Sequence, residues 1–207
     1  MHYNVTLIKI IVLSGLAFAL AACGGVKDAN KSNFRKAIQA YLDTQPGLCA
    51  ALPARELPFT LPNENQGIRI GIDPKSQADA LAAAGLLSKR DTEIKAEFGF
   101  GNKMVPATEY QITDAGKKAL VAKANAFCTG KYSVVEVDNF TEPSNMMGVT
   151  VSQVNFRYKV ENPDGWAKTE SLPAAFKNFK DATQGDIQNQ AALILTNNGW
   201  VHERLFK

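Results

Sequence analysis

Cysteine offers the most chemistry in this chain, and its three copies fall in two settings. Cys23 stands in AFALAACGG, at the end of the most hydrophobic run, whereas Cys49 and Cys128 lie in ordinary mixed sequence. A thiol can be acylated, bridge to a second thiol, ligate a metal or attack a substrate. Zinc needs a fuller ligand set than two cysteines and one histidine outside the apolar run, His202. No metal and no cofactor is therefore expected. The chain has no G-x-S-x-G elbow and no H-E-x-x-H pair. Gly99-Phe100-Gly101 is half of a dinucleotide fingerprint and reads better as a hairpin turn. Glu93 with Glu97, or Asp181 with Asp186, could do acid–base work on glycans if each pair converged. Their spread over separate polar segments reads as surface charge. His202 is expected on a terminal strand, as a surface or edge residue sharing a face with Trp200, Arg204 and Phe206. Trp166 and Trp200 would anchor a partner or a glycan if exposed, and otherwise close a core, which is the favoured reading.

The run Ile10 to Leu20 follows Lys9 and leads into Ala21 and Ala22. A charged start, a short apolar segment and a small-residue exit mark a secretory signal peptide. The run is too short for a spanning helix, which needs roughly 20 apolar residues. Its ending, Leu20-Ala21-Ala22-Cys23, resembles the lipobox of bacterial lipoproteins. The resemblance implies cleavage before Cys23, diacylglycerol on its sulfur and an acyl group on its new α-amine. Residues 1–22 would then be the leader and 23–32 a lipidated, flexible polar tether. Gly24, where many inner-membrane lipoproteins carry Asp, implies the inner leaflet of an outer membrane, facing the periplasm. The lipid bilayer is then a partner, and so is an unidentified envelope protein or cell-wall component.

Cys49 and Cys128 form an even pair in an exported chain, which argues for a disulfide, with two buried free thiols as the alternative. Closing so long a loop would stabilise the fold by about 4 kcal/mol in the chain-entropy model. The whole chain has 23 Lys and Arg against 20 Asp and Glu. The leader carries one base, Lys9, so the mature chain is nearly balanced, with its charges scattered. That balance excludes a polyanion-binding surface as the default role.

The elements that must position these residues follow from periodicity. Phe34, Ala37, Ile38, Tyr41 and Leu42 predict an amphipathic helix with Ser32 as N-cap, ended by Pro46-Gly47. Residues 50–75, with four prolines, read as extended or looped segments with a short strand at Ile68–Ile72. A second helix should begin after Ser76, with Asp79 completing a capping box, and end at Gly85. A hairpin is expected with arms near Thr92–Phe98 and Thr108–Ile112. A third helix should run from Thr113 to about Phe127, so that Cys128 ties its end to the end of the first. Lys131–Phe140 and Val149–Val160 alternate as strands. A short helix covers Leu172–Lys180, and Asn197-Asn198-Gly199 turns a hairpin between Ala191–Thr196 and Trp200–Phe206.

Asp79-Ala80-Leu81-Ala82-Ala83-Ala84-Gly85-Leu86-Leu87 and Tyr110-Gln111-Ile112-Thr113-Asp114-Ala115-Gly116, with a hairpin between them, resemble winged-helix repressors. The resemblance implies a winged-helix-like part over 33–130, and the alternation beyond it predicts a mostly antiparallel β-rich part over 131–207, an α+β fold. DNA binding is not expected, because Gln77 to Ala84 offers no Arg or Lys for base readout or phosphate neutralisation. The sequence thus points to a membrane-anchored lipoprotein with a non-catalytic binding or structural role. An envelope hydrolase with a carboxylate pair is the rival reading.

Overall fold

Phe34, Ala37, Ile38 and Leu42 share one face of a helix because their spacing matches its 3.6-residue turn. All four are buried. In the computed structural model, which describes residues 25–64, 73–96 and 103–207, this helix is α1, Lys31–Leu42. Its cap falls two residues before the expected one: the Asn30 side chain accepts from the Asn33 amide at 2.9 Å, and Ser32 lies inside the helix. A polar side chain at that position satisfies one of the otherwise orphaned amides.

The chain continues through β1 (Leu48–Ala51), β2 (Phe59–Pro62), α2 (Pro74–Ala83), β3 (Leu87–Lys95) and β4 (Met104–Ile112). The expected strand at Ile68–Ile72 and the turn at Gly99–Asn102 lie outside the described residues. Helix α2 begins earlier than expected. Asp73 caps it, accepting from the amides of Lys75 and Ser76, and Pro74 occupies the first turn, where its missing N–H costs nothing. Asp79 is therefore free of capping duty and turns to other partners.

Two small residues explain the motif around the hairpin. Gly85 reverses the chain after α2 at φ +74, a left-handed conformation that suits glycine. Leu86 is then fully buried, and β3 starts at Leu87, paired with Ile112, five residues before the expected arm. Thr113 closes the unit. Its hydroxyl donates to the Gly85 carbonyl at 2.7 Å and accepts from the Gly116 amide at 3.0 Å, capping α3 (Asp114–Ala119).

Helix α3 is much shorter than expected. It gives way to β5 (Leu120–Val121), and after Asn125, in the left-handed region at φ 46, to β6 (Ala126–Thr129). The reason is tertiary: β6 pairs with β1 on one side and β5 on the other. Cys128 thus lies on a strand, directly opposite Cys49 across an antiparallel ladder, instead of at a helix end.

The remaining elements are β7 (Lys131–Phe140), β8 (Ser144–Met146), β9 (Val149–Glu161), α4 (Ser171–Ala175), α5 (Lys177–Thr183), β10 (Ile187–Thr196) and β11 (Gly199–His202). They form a five-stranded antiparallel sheet in the order β11-β10-β9-β7, with β8 also on β9. Strand β9 alternates as read, burying Val154 and Phe156. Strand β7 does not. Register shifts after Val134 and Val137 let Val134 and Val137 both point inward while Glu136 stays outside, as a β-bulge does. The last strand also stops early, at His202, and Glu203–Leu205 form a short 3-10 turn.

These elements close on two cores. Helix α1 packs on β7 and β11, joining Phe34 and Ile38 to Val137, Val154, Phe156, Leu193 and Trp200. The second core gathers Leu81, Leu86, Tyr110 and Phe127 with Leu172, Phe176 and Phe179. Each core thus draws on residues from both sides of residue 130. The fold is α+β, with three antiparallel sheets among the described residues.

Candidate functional site

One group of titratable side chains gathers around Asp79. On α2, Lys75 and Asp79 stand one helical turn apart and therefore share a face. Lys75 Nζ lies 2.8 Å from Asp79 Oδ2. From the sheet beneath, Tyr110 donates its hydroxyl to Asp79 Oδ1 at 2.9 Å. Lys89, the register partner of Tyr110 on β3, brings Nζ to 3.2 Å from the same oxygen. Tyr110 is fully buried, and its ring stacks on Phe59 with centroids 5.2 Å apart. Asp73, Lys75, Ser76, Asp79, Ala80 and Ala83 line a cleft that Ser171 and Ala174 of α4 close from the other side.

Burial pushes the Asp79 carboxyl up, but hydrogen bonds from Lys75, Tyr110 and Lys89 outweigh it and hold the group below the usual carboxylate range. The Tyr110 phenol moves the opposite way, well above its ordinary value, because burial and the neighbouring Asp79 anion both disfavour its charged form. A general acid or base works best with a pKa near the working pH. Here the carboxyl is too acidic and the phenol too weak an acid. Asp73, the second carboxylate of the cleft, spends both oxygens on backbone amides at the start of α2. The arrangement clamps α2 to the β3–β4 hairpin.

Of the two carboxylate pairs considered from sequence, only Asp181 and Asp186 lie wholly among the described residues, and they take different partners. Glu93 is exposed on β3, and Glu97 lies outside the described residues. Asp181 pairs with Lys177, whereas Asp186 pairs with Arg157. Arg157 gathers acids that sequence reading missed: Glu136 at 2.6 Å, Asp138 at 2.9 Å and Asp186 at 3.1 Å. Only strand register brings them together, since Glu136 is the β7 partner of Arg157. Among the described residues, no group of three or more His, Cys, Asp or Glu side chains could hold a metal ion.

Cys49 and Cys128 form a disulfide, with Cα atoms 4.0 Å apart. His202 is not a surface residue: it is 4 % exposed, and its ring stacks on Tyr41 with centroids 3.9 Å apart. Its Nδ1 accepts from the Arg204 amide at 3.1 Å. Arg204 and Phe206 lie beyond the strand and do not continue its face. Trp200 is buried edge-on against Phe34, and half-buried Trp166 packs against Phe179. Both close cores, which leaves little of Trp200 for a partner. Cys23 lies outside the described residues.

The segment that follows Cys23 departs from the expected free tether. Trp200 Nε1 donates to the Lys27 and Asp28 carbonyls at 3.0 and 3.2 Å. Asn33 donates its side-chain amide to the Gly25 and Asp28 carbonyls, both at 2.9 Å. Residues from Gly25 onward are thus held on the body. The sequence signal was faint: two asparagines, Asn30 and Asn33, at capping distance. Among the described residues no helix is long and apolar enough to cross a membrane. The chain matches no protein-family model, no curated protein and no solved structure.

Proposed function

We propose that the chain is a bacterial lipoprotein, trimmed before Cys23 and held by acyl chains on that residue, with its body on the periplasmic side of the outer membrane. Its role there is binding or structural, without catalysis. The observation that carries the reading is Leu20-Ala21-Ala22-Cys23 at the exit of an apolar run that follows Lys9. The Cys49–Cys128 disulfide supports it, since such bonds persist outside the reducing cytoplasm. The Asp79 cleft supports the non-catalytic part, because Lys75, Tyr110 and Lys89 hold the Asp79 carboxyl below the usual carboxylate range and Asp73 caps α2.

Within the body, we read α2, the β3–β4 hairpin and α3 as the part that resembles a winged helix. Support comes from the order of elements and from the Thr113 step that closes the hairpin onto α3. Helix α1, the first helix of the resembled module, packs instead on the five-stranded sheet. The likeness is therefore one of a supersecondary unit.

Growth with a fatty-acid analogue tests the anchor. Wild-type protein is expected to carry the label on its N-terminal peptide, and Cys23→Ala to carry none and keep its leader. Equal labelling of both would refute the reading.

A further inference from the structure

We infer that one end of the five-stranded sheet lies directly on the bilayer, with no free linker between lipid and body. The inference rests on the lipoprotein reading above. Gly25 is two residues after Cys23, and a chain extends at most about 3.6 Å per residue. The acylated residue therefore sits within roughly 7 Å of Gly25, which is itself bonded to Asn33.

Where that point lies on the body follows from contacts and register. Val26 rests on Gly199: a Cβ added there would come 2.8 Å from the Val26 carbonyl oxygen. Gly199 closes the β10–β11 turn opposite Thr196. On the other edge of β10, Ile194 pairs with Val151, and β8 returns through Met147-Gly148 into β9 with Met146 opposite Val149. Antiparallel pairing then brings the β8–β9 turn and the β10–β11 turn to the same end of the sheet. Phe206 folds back to this end, lining a shallow recess with Lys27, Leu195, Thr196 and Asn197.

The surface chemistry of this end is distinctive. Met147 is fully exposed, Val26 63 %, Met146 56 % and Phe206 44 %. Together they are four of the five large hydrophobic side chains exposed among the described residues. Scattered apolar residues need no explanation, but a concentration at one place marks an interaction surface. The place is the one where the chain arrives from its anchor. A bilayer surface fits it: apolar tips enter the boundary between headgroups and acyl chains, while Lys27 meets anionic headgroups. Acyl chains on Cys23 would make that contact intramolecular, so even weak tip affinity is effective.

Hydrogen exchange on the acylated chain that begins at Cys23 tests this, using vesicles of phosphatidylethanolamine and phosphatidylglycerol, against the same chain without acyl groups. Amides at 146–148, 197–199 and 204–207 should exchange about five-fold more slowly on vesicles, while those near 161–165, at the far end of β9, keep their rates. Met147→Ser, a change at a fully exposed position, should restore part of the lost exchange. Unchanged rates at the tip of a vesicle-bound, acylated chain would overturn the inference and leave the lipoprotein reading standing. Slowing without vesicles that grows with protein concentration would place a second copy there and overturn it equally. An N-terminal peptide with no acyl mass would instead sink the lipoprotein reading itself.

Discussion

Stacked on Tyr41 and hydrogen-bonded through Nδ1 to the Arg204 amide, His202 has little room for a proton. Burial lowers its pKa below the ordinary 6.5, and the Arg204 cation adds to the effect while Glu203 opposes it. The folded state therefore binds fewer protons than the unfolded chain as pH falls past 6.5. Its stabilising contribution is complete above that value and is lost as pH falls through the folded pKa. His202→Gln keeps an acceptor near Arg204 and removes the titration. It should cost about 1 kcal/mol at pH 7 through lost stacking and flatten the loss of stability between pH 7 and 5. Urea unfolding of both proteins across that range reads the difference. An equal slope in both would exclude His202 as the titrating group.

The helix–hairpin–helix passage shows how far local sequence carries. The run Ala80 to Leu87 and the step Thr113 to Gly116 mark a turn and a cap wherever they occur, because Gly85 tolerates φ +74 and Thr113 caps α3. Gly116 has a second reason that spacing cannot show. A Cβ there would fall 2.2 Å from the Leu86 carbonyl oxygen, so α3 rests on backbone. Gly116→Ala should destabilise the protein by about 2 kcal/mol or more, lowering its urea midpoint without changing the slope. The end of α3 was not legible. Residues 120–127 keep helical spacing, yet β1 draws Ala126–Thr129 into a ladder whose register sets Cys49 against Cys128. Strand β7 fails in the same way, since nothing in its alternation announces the bulge that turns Glu136 outward.

Across the molecule, the two cores are stitched by long-range contacts. Strand β9 supplies Val154 and Phe156 to one core and Val160 to the edge of the other, so bending or sliding it would disturb both. Trp200 performs a similar service for the N-terminal segment. Trp200→Phe keeps an aromatic ring against Phe34 but removes the N–H that holds the Lys27 and Asp28 carbonyls. The expected cost is about 1 kcal/mol, with the Gly25–Asn30 segment becoming a site of limited proteolysis. Resistance to cleavage equal to that of the wild type would show that the segment does not depend on the indole N–H, with the Asn33 bonds and the Val26–Gly199 contact holding it.

What one dimension decided here is whatever depends on near neighbours in the chain. The apolar run with Cys23 at its exit, the amphipathic face of α1, the Gly85 and Thr113 turns and the mixed α+β class all follow from residues a few positions apart. The tertiary structure alone decided the rest. Pairing of β1 with β6 shortened α3, and the bulges of β7 chose which valines point inward. The same level of structure buried His202, turned Asp79 from a cap into an ion-pair centre and held Gly25–Asn30 on Trp200. The physical reason is common to all of these. Each outcome is set by a partner brought from tens of residues away, and a local propensity of a few tenths of a kcal/mol yields when such contacts contribute more.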